Sequence, residues 1–380
     1  MSEQIYFDCS ATTKPYDGCL NVFTKISSEC FANSASSHAL GSASLTKLEQ
    51  ARKQVAKYLN CKTDEVIFTS GATEGNNLAI RGVAERNKAW ANRIITTKGE
   101  HPSVMNVFKE LEKEGYEVVY LDYGREGSID LKGLEASVDS KTSLVSIMAV
   151  NNETGYVFDT KKAYQIVKSK NKRCAFHSDI TQAVGKEDLS SFSYDLATFS
   201  GHKIGGLKGS GALIKKENVL MNAQILGGGQ ENGYRSGTST LAMDCSLATA
   251  LRISLSTLDE RRKNASSLNR YLRDELSKVD EIEIVSPESA TPFILNIAFK
   301  RHKGSVVFQA LSDAGIYVST KSACSSREEG YSYVIRNAGF DERIAKNAIR
   351  LSFCGNETLE QGNIFIDVLK DILRNTKEEN

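Results

Sequence analysis

A lysine, a carboxylate and a glutamine stand where an α/β sheet would bring them together. The run Phe176-His177-Ser178-Asp179-Ile180-Thr181-Gln182 puts Asp179 at the end of an apolar strand, with Gln182 three residues on. The run Phe199-Ser200-Gly201-His202-Lys203 puts Lys203 directly after the next strand, amid Ser, Gly and His. A lysine there is a candidate Schiff-base nucleophile. A carboxylate on a neighbouring strand is the partner that a protonated pyridine ring needs. An earlier strand, Val66-Ile67-Phe68-Thr69, ends in Ser70-Gly71-Ala72-Thr73. Small residues at such a turn leave backbone N–H groups and a hydroxyl for a phosphate at a helix N-terminus. Taken singly, Lys203 reads as a solvated surface lysine and residues 70–73 as an ordinary cap. Together they form the donor set for pyridoxal 5'-phosphate (PLP).

Other strand ends carry weaker signals. Glu100-His101-Pro102 follows the run Arg93 to Thr97, and Asn151-Asn152-Glu153-Thr154-Gly155 follows Ser143 to Val150. Alone, the histidine reads as structural and the second segment as a turn. The chain has eight cysteines, at 9, 19, 30, 61, 174, 245, 324 and 354. Their spacing matches no CxxC or Cys/His ligand pattern, so no metal site and no disulfide framework is expected. Cys324 lies in Thr320-Lys321-Ser322-Ala323-Cys324-Ser325-Ser326-Arg327, a small, polar stretch of loop composition. Lys321 and Arg327 would favour its thiolate. The other seven, Cys9 among them, read as bystander thiols.

These groups need a scaffold, and the hydrophobic pattern supplies one. A helix is expected from about residue 41 to 60, with Leu45, Leu48, Val55 and Leu59 on one stripe. Short apolar runs at 66–69, 93–97, 118–121, 143–150, 174–177, 196–199 and 211–214 alternate with helical patterns over the earlier part of the chain. That rhythm predicts an α/β fold with a mostly parallel sheet. A long helical stretch at 241–279 breaks it. Strands at 282–285, 293–299 and 349–353, a helix near 305–314 and a closing helix from 359 then predict a smaller α+β domain. Lys+Arg total 48 against 47 Asp+Glu, a net charge of +1, which argues against nucleic acid or an anionic membrane as partner. The start, Met1-Ser2-Glu3-Gln4-Ile5, has no basic region and no apolar core of a signal, and no apolar run approaches membrane-spanning length. A cytoplasmic location with reduced thiols is expected.

The segments GATEGNNLAI, EHPSV, VNNETG, HSDITQAVGK, SFSGHKIGGLKGSGAL, GGGQENGYRSGT and SAC follow one another along the chain. In this order they resemble the motif set of the cysteine desulfurases of NifS/IscS type, fold-type I PLP enzymes of aminotransferase class V. The resemblance runs from about Tyr6 to Ile366. It implies a large PLP-binding domain, residues 15–255, with a mostly parallel seven-stranded sheet. Residues 1–14 and 256–380 would form a small domain carrying the catalytic cysteine loop. Lys203 would carry PLP, Asp179 would pair with the pyridine nitrogen, and Gln182 would bond the phenolic oxygen. His101 would stack on the ring and move protons. Ala72, Thr73, Ser200 and His202 would hold the phosphate, and Thr238 would reach the cofactor of the other subunit of a homodimer. Asn33, Asn152 and Arg350 would bind the substrate amino acid, Arg350 through its carboxylate. Asn152 would also touch the cofactor. Cys324 would be the nucleophile that takes sulfur from L-cysteine as a persulfide, leaving L-alanine and passing sulfur to an acceptor protein for iron–sulfur clusters or for tRNA or cofactor thiolation. A selenocysteine lyase, another class V aminotransferase, or a non-catalytic persulfide carrier are the alternatives.

Three positions depart from the family pattern. Thr320-Lys321-Ser322 replaces the usual Ser-Gly-Ser before Ala323-Cys324, so a long cation stands where a small residue is usual. Asn33-Ser34 replaces Asn-Pro. After Arg350 the chain continues Leu351-Ser352-Phe353-Cys354-Gly355-Asn356, which is not the usual continuation.

Overall fold

The structure is a computed structural model and describes residues 4–320 and 330–376. The N-terminal half alternates strands and helices: β1 (Ile5–Tyr6), α1 (Asp17–Glu29), α2 (Ala39–Tyr58), β2 (Val66–Thr69), α3 (Ala72–Asn87), β3 (Arg93–Thr97), α4 (Pro102–Lys113), β4 (Glu117–Leu121), α5 (Leu131–Ser137) and β5 (Thr142–Ser146). It continues with α6 (Thr160–Lys170), β6 (Ala175–Asp179), β7 (Leu196–Ser200), β8 (Gly211–Lys215), α7 (Leu241–Ser256) and α8 (Leu258–Leu276). The remainder is β9 (Ile282–Ile284), β10 (Ile294–Phe299), α9 (Gly304–Asp313), β11 (Ile316–Tyr317), β12 (Ser319–Thr320), α10 (Tyr333–Asn337), α11 (Glu342–Lys346), β13 (Ala348–Ser352) and α12 (Leu359–Asn375).

The main sheet has seven strands in the order β2-β8-β7-β6-β5-β3-β4. Its neighbours are parallel except at β8, which runs antiparallel to both β2 and β7. Strands β5, β6 and β7 are buried along their whole length, as expected of a sheet covered by helices on both faces. A second sheet, β12-β13-β10-β9, is antiparallel, and β1 pairs with β11 beside it. Its core is built from Leu295, Ile297, Phe299, Ile349 and Leu351 against Leu268, Leu272, Phe365 and Leu369 of α8 and α12.

The expected strands and helices are present, with two differences of boundary. The run 143–150 is strand only to Ser146; Ile147 and Ala149 still donate to the carbonyls of His177 and Asp179, and the chain then turns at 151–155, where the Gly155 N–H donates to the Asn151 carbonyl. The helical stretch from 241 is two helices that meet at Thr257. Arg261 fixes that corner: its guanidinium donates to the carbonyls of Ser254, Gly185 and Cys354. Among the described residues no helix is long and apolar enough to cross a membrane.

Candidate active site

The carboxyl ends of β2, β6 and β7 meet on one edge of the main sheet, where open α/β sheets bind ligands. Asp179 closes β6 and is 5% exposed. One of its carboxylate oxygens accepts from the Thr181 N–H at 2.9 Å, the other from Asn76 Nδ2 at 2.9 Å. Asn76 donates also to Ser103 Oγ at 2.9 Å, and its carbonyl accepts from Thr198 Oγ1. Ser103 Oγ lies 2.8 Å from His101 Nδ1. A buried chain of hydrogen bonds therefore runs from Asp179 through Asn76 and Ser103 to His101. His101 caps α4, with Nδ1 accepting the Ser103 N–H, so the ring's proton belongs on Nε2. Burial pushes the His101 pKa down; Asp179 opposes that shift and Lys203 adds to it.

Lys203 leaves β7 in a single tight turn, and its Nζ donates to the carbonyls of Ser10 and Ala11 at 2.6 and 2.7 Å. The Ser10 carbonyl also accepts from Gln182 Nε2 at 3.0 Å. The Gln182 carbonyl accepts from Lys186 Nζ, which fixes the amide with its NH2 on the Ser10 side. Burial drives the Lys186 pKa well below its ordinary value, and the positive charges of Lys203, Arg261 and Arg350 push the same way.

At the other end, the Ala72 N–H donates to Ser200 Oγ at 2.7 Å, joining the first residue of α3 to the end of β7. Backbones approach closely there: a Cβ on Gly211 would sit 2.6 Å from the Gly71 Cα, and Gly71 itself has φ +155°. This contact is open only to glycine, and among the described residues the Ser200 hydroxyl is what meets the first N–H of α3. Thr73 is exposed at that terminus. His202 lies against Thr12 Oγ1 at 3.2 Å. Burial, then Lys203, Lys208 and Lys186, hold its pKa down at about 4, so it is a neutral donor and acceptor.

Arg350 reaches this edge from β13 of the second sheet. It donates to the Asn152 carbonyl at 2.8 Å and to Asp8 Oδ1 at 2.7 Å, and its Nε has no hydrogen-bond partner among the described residues. An arginine 6% exposed with a donor unspent is ready for an anion. Cys324 lies outside the described residues, but the two points flanking its segment are defined. Ser319 pairs with Arg350, and on the far side the Tyr333 hydroxyl donates to the carbonyl of Glu100, next to His101. Among the described residues, Ser319 therefore lies beside Arg350 and Tyr333 beside the Glu100-His101 turn.

Two expected residues are not drawn into this cluster. Asn33 is exposed and spends its side chain on the Ala35 N–H. Thr238 is exposed in the loop before α7. Conversely, Asn76, Ser103, Lys186, Ser10 and Asp8 belong to the site and were not singled out from the sequence. Asn76 and Lys186 fall inside motifs quoted above, but nothing in a motif distinguishes Asn76 from its neighbour Asn77, which bonds only its own helix.

Glu100 adds an electrostatic consequence. It is fully buried; Oε1 accepts from Thr97 and the Met148 N–H, and Oε2 has no partner among the described residues. Burial, opposed by those two bonds and aided by Asp179, lifts its pKa from 4.5 to about 8. Between those values the folded protein keeps a proton that the unfolded chain releases, so stability falls as pH rises through that window. At about 1.4 kcal/mol per unit the cost is on the order of 4 kcal/mol by pH 8. Glu100→Gln is expected to raise the melting temperature more at pH 8 than at pH 5; an equal gain at both, measured by calorimetry, would show Glu100 ionised throughout.

One expectation is corrected. Cys9 and Cys354 are not independent thiols but form a disulfide, with Cα atoms 5.8 Å apart. A sequence separation of 345 hides the pair. The fold creates it by laying residues 7–10 along β13: Cys9 N–H donates to the Ser352 carbonyl and Ser352 N–H to that of Phe7. Glu357 stands with them as the third member of a cluster within 4.8 Å. Its carboxylate already accepts the N–H groups of Cys354, Gly355 and Asn356.

The donor set fits PLP. A carboxylate at a strand end, an amine after the next strand, an amide oriented by Lys186 and Ser10, and a helix N-terminus with the Ser200 hydroxyl beside it are the chemistry the cofactor's pyridine nitrogen, aldehyde, phenolic oxygen and phosphate call for. The fold and this site define a protein of fold-type I, and the family model described as "Aminotransferase class-V" matches residues 5–364. The chain belongs to that family. It is 37% identical to the "NifS/IcsS protein homolog" of Lactobacillus delbrueckii, with 99% of both chains covered. It is 38% identical to the "Cysteine desulfurase IscS" of Klebsiella pneumoniae, covering 100% of this chain and 95% of that one. Among solved structures, a "NIFS-LIKE PROTEIN" superposes with a TM-score of 0.92 at 36% identity, covering 98% of this chain and 100% of that one. A structure titled "SspA in complex with cysteine" superposes with a TM-score of 0.81 at 28% identity, over 93% and 100%.

Proposed function

We propose that the protein is a PLP-dependent cysteine desulfurase. It takes sulfur from L-cysteine as a persulfide on Cys324, releases L-alanine, and passes the sulfur to an acceptor protein. The observation that carries the reading is the meeting of two half-sites. Lys203, Asp179, Gln182 and His101 come from the main sheet, and Arg350, paired with Ser319, comes from the second sheet onto the same edge.

PLP, when bound, supplies an electron sink for charge left at the substrate α-carbon. The chain does the rest. Arg350 fixes the substrate carboxylate, with Asn152 beside it. The Asp179 carboxylate, braced by Asn76 and Thr181, keeps a proton at the pyridine nitrogen. Lys203 Nζ, held by two carbonyls, collects and returns the α-proton. His101, neutral with its proton on Nε2, moves protons on the ring's face. The Cys324 thiolate attacks the substrate sulfur; the carbon–sulfur bond breaks, and the three-carbon remainder is protonated and leaves as alanine.

We propose further that the chain acts as a cytoplasmic homodimer, in which Thr238, exposed here, reaches the cofactor of the partner. The division of the chain at about residues 14 and 255 is supported by the packing of α7 on α1 and α2, and of α8 on α12.

L-cysteine added to the purified protein with a reductant should yield sulfide and alanine in equal amounts, and both should vanish in Cys324→Ala. Alanine persisting in that variant would favour a different class V lyase or aminotransferase. A colourless native protein would leave only a persulfide carrier.

A further inference from the structure

The Cys9–Cys354 pair is not part of the proposed reaction, yet Cys354 borders a cavity that Lys203 also lines. Cys354 lines a cavity of about 260 Å³ whose wall also carries Lys14, Lys203 and Arg261, against one carboxylate, Asp17. Cys9 is 2% exposed and lies behind it, 3.5 Å from Glu357 Oε1. The next two residues after Cys9 are Ser10 and Ala11, whose carbonyls hold Lys203. Four residues before Cys354 is Arg350. The bond therefore ties the floor under the lysine to the turn that follows the arginine's strand.

We propose that Cys9–Cys354 is an exchangeable disulfide, a second site of sulfur chemistry opened by small anionic thiols that enter this cavity. The cavity has the volume of an amino acid rather than of a protein thiol, and its wall is net positive. Lys186 also lines it. Of the two cysteines only Cys354 lines the cavity, so attack is assigned to its sulfur. The incoming thiol loses its proton, and its thiolate bonds to Cys354 Sγ. The Cys354–Cys9 bond breaks with its electron pair on Cys9 Sγ, which takes up a proton and donates it to Glu357 Oε1. A second thiolate attacks the mixed disulfide and releases the small disulfide and the Cys354 thiolate. Two small thiols are oxidised to one disulfide while one protein disulfide is reduced to two thiols. The exchange needs neither PLP nor turnover, so it does not rest on the proposed function.

The test uses the PLP-loaded protein purified without reductant and two thiols that are not amino acids, mercaptoacetate (anionic) and cysteamine (cationic). Non-reducing peptide mapping should find Cys9 cross-linked to Cys354. Per thiolate, and relative to an exposed peptide disulfide, mercaptoacetate should open the bond about tenfold faster than cysteamine, the scale of electrostatic concentration in a charged cleft. In Cys9→Ser, the disulfide of mercaptoacetate should leave its adduct on Cys354. Absence of the cross-link, equal relative rates for the two thiols, or opening only in denaturant would each overturn the proposal, and the first two need no variant. Desulfurase activity is not measured at any step, so failure here leaves that reading untouched.

Discussion

Lys203→Ala is expected to abolish L-cysteine turnover, by at least about 10⁴-fold. A positioned proton-transfer group accounts for up to about that factor by itself, and this substitution removes the covalent hold on PLP as well. The purified variant should lose the visible absorbance of the bound cofactor after dialysis. The fold should survive. Lys203 follows β7 in a surface turn, and without its amine the Ser10 carbonyl still accepts from Gln182. Only the Ala11 carbonyl loses this donor, a cost of about 1 kcal/mol for one ordinary hydrogen bond. The informative competitor is Lys186, a buried amine in the same pocket. Its Nζ is engaged by Gln182, which points it away from the role. Retained colour and turnover in Lys203→Ala, lost in Lys186→Ala, would transfer the role to Lys186 and undo the assignment.

The fold was legible because its signal is periodic. Apolar runs of strand length with helical patterns between them admit few architectures, and the strands β5 to β7, buried on both faces, mix apolar residues with Ser, Thr and His rather than alternating with charged ones. The boundaries that failed did so for tertiary reasons. Nothing in residues 241–279 marks Thr257 as a corner, since the bend is fixed by Arg261 reaching the Gly185 and Cys354 carbonyls, far off in sequence. The site divides the same way. Asp179, Gln182 and Lys203 were visible because each stands at a strand end beside small residues. Asn76 was not, because it lies mid-helix and acts only through partners on three other elements. Cys9 and Cys354 were misread because pairing is a property of register: it depends on residues 7–10 lying along β13, which no local pattern announces.

Asp179→Asn should have the next largest effect on turnover, and for a reason the network makes specific. The substitution is close in shape but replaces one acceptor oxygen by a donor NH2. The oxygens of Asp179 now receive the Thr181 N–H and Asn76 Nδ2. An asparagine can satisfy one of these and must oppose its NH2 to the other. Asn76 cannot flip to help, because its carbonyl is bonded to Thr198 and its NH2 also serves Ser103. One buried donor is left unsatisfied, costing about 1–3 kcal/mol of stability. The effect on catalysis is larger, because a neutral amide no longer keeps the pyridine nitrogen protonated. Breaking a buried charge pair costs about 3–5 kcal/mol, which is a fall in kcat of roughly 10²–10³-fold. The two effects separate by measurement. Asn76→Ala removes one brace while sparing the charge, so it should cost comparable stability but only about tenfold in kcat. Equal losses of kcat in the two variants would mean that Asp179 serves to hold Asn76 and Ser103 in place, and that the charge beneath the cofactor is supplied from elsewhere.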